Sequence, residues 1–452
     1  MEGAQTWRVA VVGAGPAGFY ATDYLLKAGA KVDLFERLPA PFGLLRYGVA
    51  PDHQNIKRAG VALERTLKQP DLTFIGNVSL GKDVSLEELL ADYDQVLVAT
   101  GSAGDRRMGI PGESLPGSVA ATSFVGWYNA HPDFSVQDFD LRGSRAVVVG
   151  VGNVAMDVAR VLVRSPADLA KTDIANYALE ILSRSPIREV VLLGRRGPAQ
   201  AAFDVGELKD IAALPGVELV LDGRTSLEFD GDPAQLSTSA RRNLEFLATL
   251  PRETSGTRER VVRLVFCASP KALYGNAEGV QEIEIERTRL RRTEDGSVVA
   301  EGTGELERLE TNFVVRAIGY RAEPVSGLPF DSRASLIPNQ GGRAGQPHEI
   351  VPRCYVSGWI KRGPVGLLGS NKVDARETVD HMLEDRDAAL ASQGARRPGS
   401  VRARLEERGA RVVDAAAWQR VDEKERSAGS SAQKVREKFA TVGELLRAAH
   451  EG

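Results

Sequence analysis

Twice in this chain an apolar run ends in a glycine fingerprint and gives way to a helical stretch. Arg8 to Val12 leads into Gly13-Ala14-Gly15-Pro16-Ala17-Gly18, and Arg145 to Val149 leads into Gly150-Val151-Gly152-Asn153-Val154-Ala155. A short, continuously apolar run of this kind reads as a buried parallel strand. In GxGxxG or GxGxxA the first glycine permits a tight turn, the second lets backbone approach a pyrophosphate, and the third position allows close helix packing. The helix that follows offers free N–H groups and the positive end of its dipole to an anion. The expected fold is therefore α/β. Two such starts, 137 residues apart, imply two Rossmann-like dinucleotide-binding domains.

The end of each second strand indicates which dinucleotide would suit each domain. Lys31–Glu36 closes on Glu36, 21 residues after Gly15, where a carboxylate can accept hydrogen bonds from ribose hydroxyls and would repel a 2′-phosphate. The first domain therefore suits FAD or NAD. In the second, Glu189–Leu193 is followed by Gly194-Arg195-Arg196, whose two guanidiniums are forked donors for the 2′-phosphate of NADP(H). The 43 residues from Gly152 to Arg195 are about twice the usual spacing of ~20. An insertion around Pro166 to Pro186 accounts for the excess.

A length of 452 residues suggests about three domains at ~150 each, but the two fingerprints favour two. Between about 222 and 312 the strands read as antiparallel: Val261–Phe266, Val280–Glu286 and Asn312–Ala317, with turns at Gly275-Asn276 and Asp295-Gly296. Pro324 to Gln346 reads as loop, Ile350 to Val356 as strand and Ala375 to Leu390 as helix. The last sixty residues carry interleaved charges of both signs and read by composition as a solvated helical appendage. Arg241 and Arg242 read as a solvated helix face, with a docking patch for an acidic partner as the alternative.

Only two cysteines, Cys267 and Cys354, occur, with no CxxC. That excludes an endogenous iron–sulfur cluster and a CxxC dithiol, so electron chemistry requires an organic cofactor, and no metal site is expected. Both cysteines read as small buried hydrophobes within strands. The net charge of −3 gives no global field toward nucleic acid, and no apolar run reaches the ~20 residues of a membrane span. The segment Met1 to Thr6 lacks a signal or transit pattern, and a cytoplasmic location is expected.

Further motifs make a resemblance specific. Pro41-Phe42-Gly43-Leu44-Leu45-Arg46-Tyr47-Gly48-Val49-Ala50-Pro51-Asp52-His53 is similar to the PFGLxRxGVAPDH segment of the adrenodoxin-reductase-like ferredoxin–NADP reductases. So are Ile110-Pro111-Gly112-Glu113, the Gly-Asn-Val-Ala-x-Asp run at 152–157, Gly194 to Pro198, and Gly358-Trp359-Ile360-Lys361-Arg362-Gly363-Pro364-Val365-Gly366. Trp418 to Leu446, with Asp422, Glu425, Gly429, Arg436 and Lys438, resembles that family's terminal segment. Val365 departs from it, standing where the family usually has threonine.

The resemblance implies a discontinuous FAD domain (1–105 and 319–452) with an NADP(H) domain (106–318) inserted. It implies that Gly13, Gly15, Ala17, Gly18, Glu36, Leu44, Leu80, Trp359, Gly366, Leu367 and Leu368 bind non-covalent FAD. Arg106, Val151, Gly152, Asn153, Val154, Arg195, Arg196, Glu207 and Gly366 would contact NADP(H). His53, Asp157 and Glu207 match polar positions near the nicotinamide–flavin junction. The implied reaction is hydride transfer from NADPH to FAD, then single electrons to a ferredoxin-type iron–sulfur protein. A flavoprotein monooxygenase or the electron-input subunit of a larger complex are the alternatives.

Overall fold

The computed structural model describes residues 6–229, 232–294, 296–366, 368–392 and 400–451. Asp295, Leu367 and the segment Met1–Gln5 lie outside the described residues. The chain forms two compact units, one of residues 1–104, 129–133 and 320–452, the other of residues 105–128 and 134–319.

The first unit is built on a seven-stranded sheet. Its order is Asn339–Gln340, Arg343–Gln346, Glu349–Val356, Gln95–Val98, Arg8–Val12, Lys31–Glu36, Leu72–Gly76. The last five strands are mutually parallel, and the first two form an antiparallel edge. Part of the stretch expected as loop thus pairs as strand. The core strand Arg8–Val12 is buried from Val9 onward, and apolar clusters cover both sheet faces, as a parallel sheet requires. The helix expected from Ala375 begins earlier, at Leu368, and ends at Glu384, with Arg386–Ser392 a separate helix.

The second unit carries a six-stranded sheet, ordered Ser118–Ala120, Phe313–Arg316, Arg145–Val149, Glu189–Gly194, Arg260–Phe266, Val217–Leu221. All its pairs are parallel. Two strands expected to be antiparallel, at 261–266 and 312–317, therefore belong to this parallel sheet. Only Val280–Glu286 behaves as expected, within the antiparallel ribbon Ala268–Asn276, Gly279–Arg292 and Val298–Glu310. The extra spacing before Arg195 is filled by the helices Pro166–Leu169 and Asn176–Arg184.

One further expectation changes and another holds. Cys354 is buried in a strand, but Cys267 is half-buried between two strands, in left-handed backbone at φ 53°. Arg241 and Arg242 are exposed on the helix Thr238–Leu247.

The C-terminal segment is no appendage. Trp418, Val421, Leu445, Leu446 and Ala449 enter the same apolar cluster as Val9 and Val11 of the first strand. Glu425 is fully buried on the helix Ala415–Ser431 and takes a forked pair from Arg46, at 2.6 and 2.9 Å. Arg436 adds a contact at 2.8 Å to Glu425 and one at 2.6 Å to Asp422, while Phe439 N donates to Glu425 at 3.0 Å. The Lys438 ammonium donates to the main-chain oxygens of Arg46 and Asn129, both at 3.2 Å. A Cβ at Gly429 would lie 2.5 Å from Arg436 Cα, so only glycine admits this crossing. Burial alone would lower the Arg46 pKa, yet the charge of Glu425 holds it above its ordinary value. Removing one partner of a buried pair leaves the other charge stranded, so Glu425→Gln is expected to cost about 3–5 kcal/mol. The denaturation midpoint of the variant against the parent measures this.

Candidate functional site

The two glycine loops have the same construction. Gly13 N donates to Phe35 O at 2.8 Å, and Gly150 N to Leu193 O at 2.9 Å, tying each loop to its neighbouring strand. Gly13 has φ +107°, and a Cβ there would lie 2.4 Å from Ala99 O; at Gly150, with φ +134°, it would lie 2.3 Å from Ala317 O. A Cβ at Gly18 would meet Gly13 O at 1.9 Å. The middle glycines differ in kind, because a Cβ at Gly15 or Gly152 would meet nothing within 4 Å. The space in front of each middle glycine is open.

That space faces bare helix ends. Gly15 and Gly152 are the N-caps of Pro16–Lys27 and Asn153–Val163, and neither helix has a side-chain cap. Elsewhere Ser85, Asp204, Ser237, Asp414 and Thr441 supply such caps. Uncapped helix N–H groups beside a glycine that leaves room form a ready anion site.

In the first unit the half-buried Glu36 carboxylate accepts from Ala14 N at 2.9 Å and Leu38 N at 3.1 Å. Burial pushes its carboxyl pKa up, while those two N–H groups pull it back. Arg37 and Leu38, together with Asn77, Ser79, Lys82 and Arg411, help line a cavity of about 350 Å³. Leu80 is half-buried just beyond the strand Leu72–Gly76. Phe42 N donates to Ala14 O at 2.8 Å, and Phe42 and Gly43 turn at φ 83° and 48°. The turn brings Leu44, 36% exposed, to the start of the short helix Leu44–Tyr47.

Gly358 approaches the same helix end, where its missing Cβ would lie 2.7 Å from Ala17 Cβ. Next to it, Trp359 packs against Tyr320 with ring centroids 5.1 Å apart. The buried Trp359 Nε1 has no partner among the described residues. Gly366 is exposed at φ +90°, and Leu368 is half-buried at the start of Leu368–Glu384. Ala17, Glu36, Leu44, Trp359, Gly366 and Leu368 thus all fall in the first unit, while Leu367 lies outside the described residues. His53 sits there too, as N-cap of Gln54–Lys57.

In the second unit Val151–Val154 are half-buried around the loop. Val151 O accepts from Ala202 N at 2.9 Å, and Asn153 Oδ1 from Asp204 N at 2.8 Å, which docks the 198–206 loop on the fingerprint. Arg195 and Arg196 are exposed at the strand end, and their main-chain oxygens are bonded by Thr288 Oγ1 and Cys267 N. Neither guanidinium pairs with a described residue. Arg106 is exposed, with its N donating to Gly319 O at 3.1 Å. The structure gives Asp157 and Glu207 a shared partner, the buried Arg160, at 2.6 Å from each.

Sequence reasoning missed Arg160 and Asp374. Arg160 follows Asp157 at helical i,i+3 spacing, a signal that was available. The buried Asp374 accepts from Gly358 N and pairs with the Lys361 ammonium at 2.9 Å, bracing the turn that carries Trp359. Nothing local in the sequence marks it.

Residues 7–196 match the protein family described as pyridine nucleotide-disulphide oxidoreductase. The NADPH-ferredoxin reductase FprA of Mycobacterium tuberculosis is 45% identical over 97% of this chain and 98% of its own. The mitochondrial NADPH:adrenodoxin oxidoreductase of Arabidopsis thaliana is 41% identical, covering 98% of this chain and 95% of its own. The structure of M. tuberculosis FprA in complex with NADPH superposes with a TM-score of 0.92 at 42% identity, over 98% of this chain and 100% of that one. On these identities over nearly its whole length, the chain belongs to the adrenodoxin-reductase-like ferredoxin–NADP reductases.

Proposed function

We propose that this protein oxidises NADPH through a non-covalent FAD and delivers electrons one at a time to a ferredoxin-type iron–sulfur protein. One observation carries the reading: two glycine loops of the same construction end in opposite charge, Glu36 in one unit and Arg195 with Arg196 in the other. The first unit fits FAD, with open space at Gly15, uncapped helix N–H groups, a ribose acceptor in Glu36 and a buried indole N–H at Trp359 that no described residue accepts. The second fits NADPH, with open space at Gly152 and two guanidiniums, unpaired among the described residues, for a 2′-phosphate. In this reading the unit of 105–128 and 134–319 is the NADP(H) domain, inserted in a discontinuous FAD domain.

Bound FAD supplies the conversion from a two-electron hydride donor to a one-electron acceptor. The chain's own residues position and tune. Gly15 and the helix after it hold a pyrophosphate, while Glu36 orients the ribose. Ala17, Leu44, Leu80, Trp359, Gly366 and Leu368 enclose the rest of the flavin cofactor. In the second unit Arg106, Val151–Val154, Arg195, Arg196 and Glu207 hold NADPH. In this reading His53 of the first unit is a polar group for the flavin, and Asp157 and Glu207 of the second are polar groups for the nicotinamide.

The two cysteines cannot hold a cluster, so the iron–sulfur centre belongs to the partner. Two free thiols and NADPH as reductant suit a cytoplasmic setting.

Anaerobic titration with NADPH is expected to bleach the flavin at one equivalent, and subsequent addition of an oxidised ferredoxin to restore it. Flavin that NADPH fails to reduce, or reduced flavin that returns electrons only to oxygen, would overturn the reading. Docking of an acidic ferredoxin is electrostatic. Raising ionic strength from about 0.05 to 0.5 M is expected to lower kcat/KM for ferredoxin by about 10-fold or more. Flavin reduction by NADPH, followed separately, reports whether the first half-reaction shares that salt dependence.

A further inference from the structure

Arg195 and Arg196 stand just beyond the strand Glu189–Gly194, where sheet pairing no longer fixes the main chain. The turn they occupy starts against the nucleotide loop: a Cβ at Gly194 would lie 3.1 Å from Val151 Cγ1. Beyond that point the antiparallel ribbon takes over. Thr288 Oγ1 donates to Arg195 O at 2.8 Å, and Cys267 N donates to Arg196 O at 3.1 Å. Thr288 N in turn donates to Cys267 O at 2.8 Å, so the two braces are themselves joined. Leu290, two residues on, packs on the next position, where a Cβ at Gly197 would lie 3.0 Å from its Cδ1. Both arginine carbonyls are thus held, while both arginine side chains stay exposed.

One member of this brace is chemically specific. Cys267 acts through its main-chain N–H, which any residue but proline supplies. Thr288 acts through a hydroxyl, and it lies on Gly279–Arg292, where valine would suit the strand equally well. The ribbon shifts register between Glu286 and Thr288, an irregularity of the kind that re-aims a side chain. We infer that Thr288 is a positioning residue for nucleotide choice: its hydroxyl holds the turn of Arg195 and Arg196 in the conformation that receives a 2′-phosphate. The inference rests on the proposed reading of those arginines as the 2′-phosphate site. A turn ordered before NADPH arrives spares the cost of ordering it on binding, and the gain goes only to a ligand that uses the guanidiniums. NADH, without the phosphate, gains nothing from it. Thr288 acts through Arg195 and touches no nucleotide in this account.

The test compares T288V, T288S and an R195L/R196L variant of the FAD-loaded protein, each with NADPH and with NADH. Anaerobic stopped-flow reduction of the flavin over a range of nucleotide concentrations gives each Kd. T288V is expected to raise the Kd for NADPH about 3- to 10-fold, the effect of losing one neutral hydrogen bond, with NADH changed by less than about twofold. T288S, which restores the hydroxyl, is expected to return NADPH binding to within about twofold of the parent. In the R195L/R196L background T288V is expected to add nothing, because the groups it positions are gone. A purely structural role would weaken both nucleotides alike, or lower the melting temperature with no change in preference. T288A removes the same hydroxyl and replaces T288V if that variant does not fold. Equal losses for both nucleotides, a T288V Kd for NADPH within about twofold of the parent, a T288S as weak as T288V, or a further loss in the R195L/R196L background would overturn the role of Thr288. An R195L/R196L variant that keeps the parent preference for NADPH would instead overturn the placement of the 2′-phosphate.

Discussion

Replacing Arg195 and Arg196 together by leucine is expected to raise the Kd for NADPH by about 10²–10⁴-fold, since charged hydrogen bonds contribute about 1.5–3 kcal/mol each. NADH, which lacks the 2′-phosphate, is expected to change by less than about threefold. Both side chains are exposed at the end of Glu189–Gly194, and neither is engaged by a described residue, so their removal takes no support from the fold. The effect should therefore appear in affinity and not in the melting temperature. Reduction of the flavin by each nucleotide, followed over a concentration range, gives both constants. A double variant that still prefers NADPH by the parent ratio would show that the 2′-phosphate is read elsewhere.

Gly15→Val is expected to yield a folded protein that cannot retain FAD. The neighbouring glycines behave differently because their missing Cβ atoms face backbone, Ala99 O for Gly13 and Gly13 O for Gly18, at 2.4 and 1.9 Å. Side chains there would displace the loop itself. At Gly15 nothing lies within 4 Å, and φ is −82°, which any residue adopts. A valine would occupy only the volume of the ligand. Displacing the pyrophosphate from the helix end breaks at least two charged hydrogen bonds, which weakens FAD binding by about 10²-fold or more. Flavin absorbance per chain after gel filtration measures the loss, and far-ultraviolet circular dichroism measures the fold. Gly13→Val is expected to fail on both.

Much of the first-unit and second-unit chemistry was legible because it is local. Glycines at 13, 15 and 18 and at 150 and 152, with acid or base at the following strand end, form motifs within a few dozen residues. Strand direction was less legible. Arg260–Phe266 carries the half-alternating pattern expected of an antiparallel edge, yet it lies between Glu189–Gly194 and Val217–Leu221 as a parallel strand. An apolar pattern reports which face is covered and does not name the partner strand. The C-terminal residues misled for a related reason. Composition averages a helix over all its faces, so charges at Arg420, Glu423 and Lys424 concealed a buried stripe at Trp418, Val421 and Glu425.

The amino-acid sequence by itself determined two nucleotide loops, the sign of charge beside each, and too few cysteines for a cluster of its own. These depend on backbone geometry over short separations and on counting cysteines. Only the tertiary structure decided that Glu425 clamps Arg46 across 379 positions, that Arg160 reaches Glu207 across 47, and that Asp374 braces Gly358. The physical reason is that a buried charge is tolerated only where its partner is delivered to it. Delivery depends on the path of the whole chain, and nothing within a few turns of either residue records it.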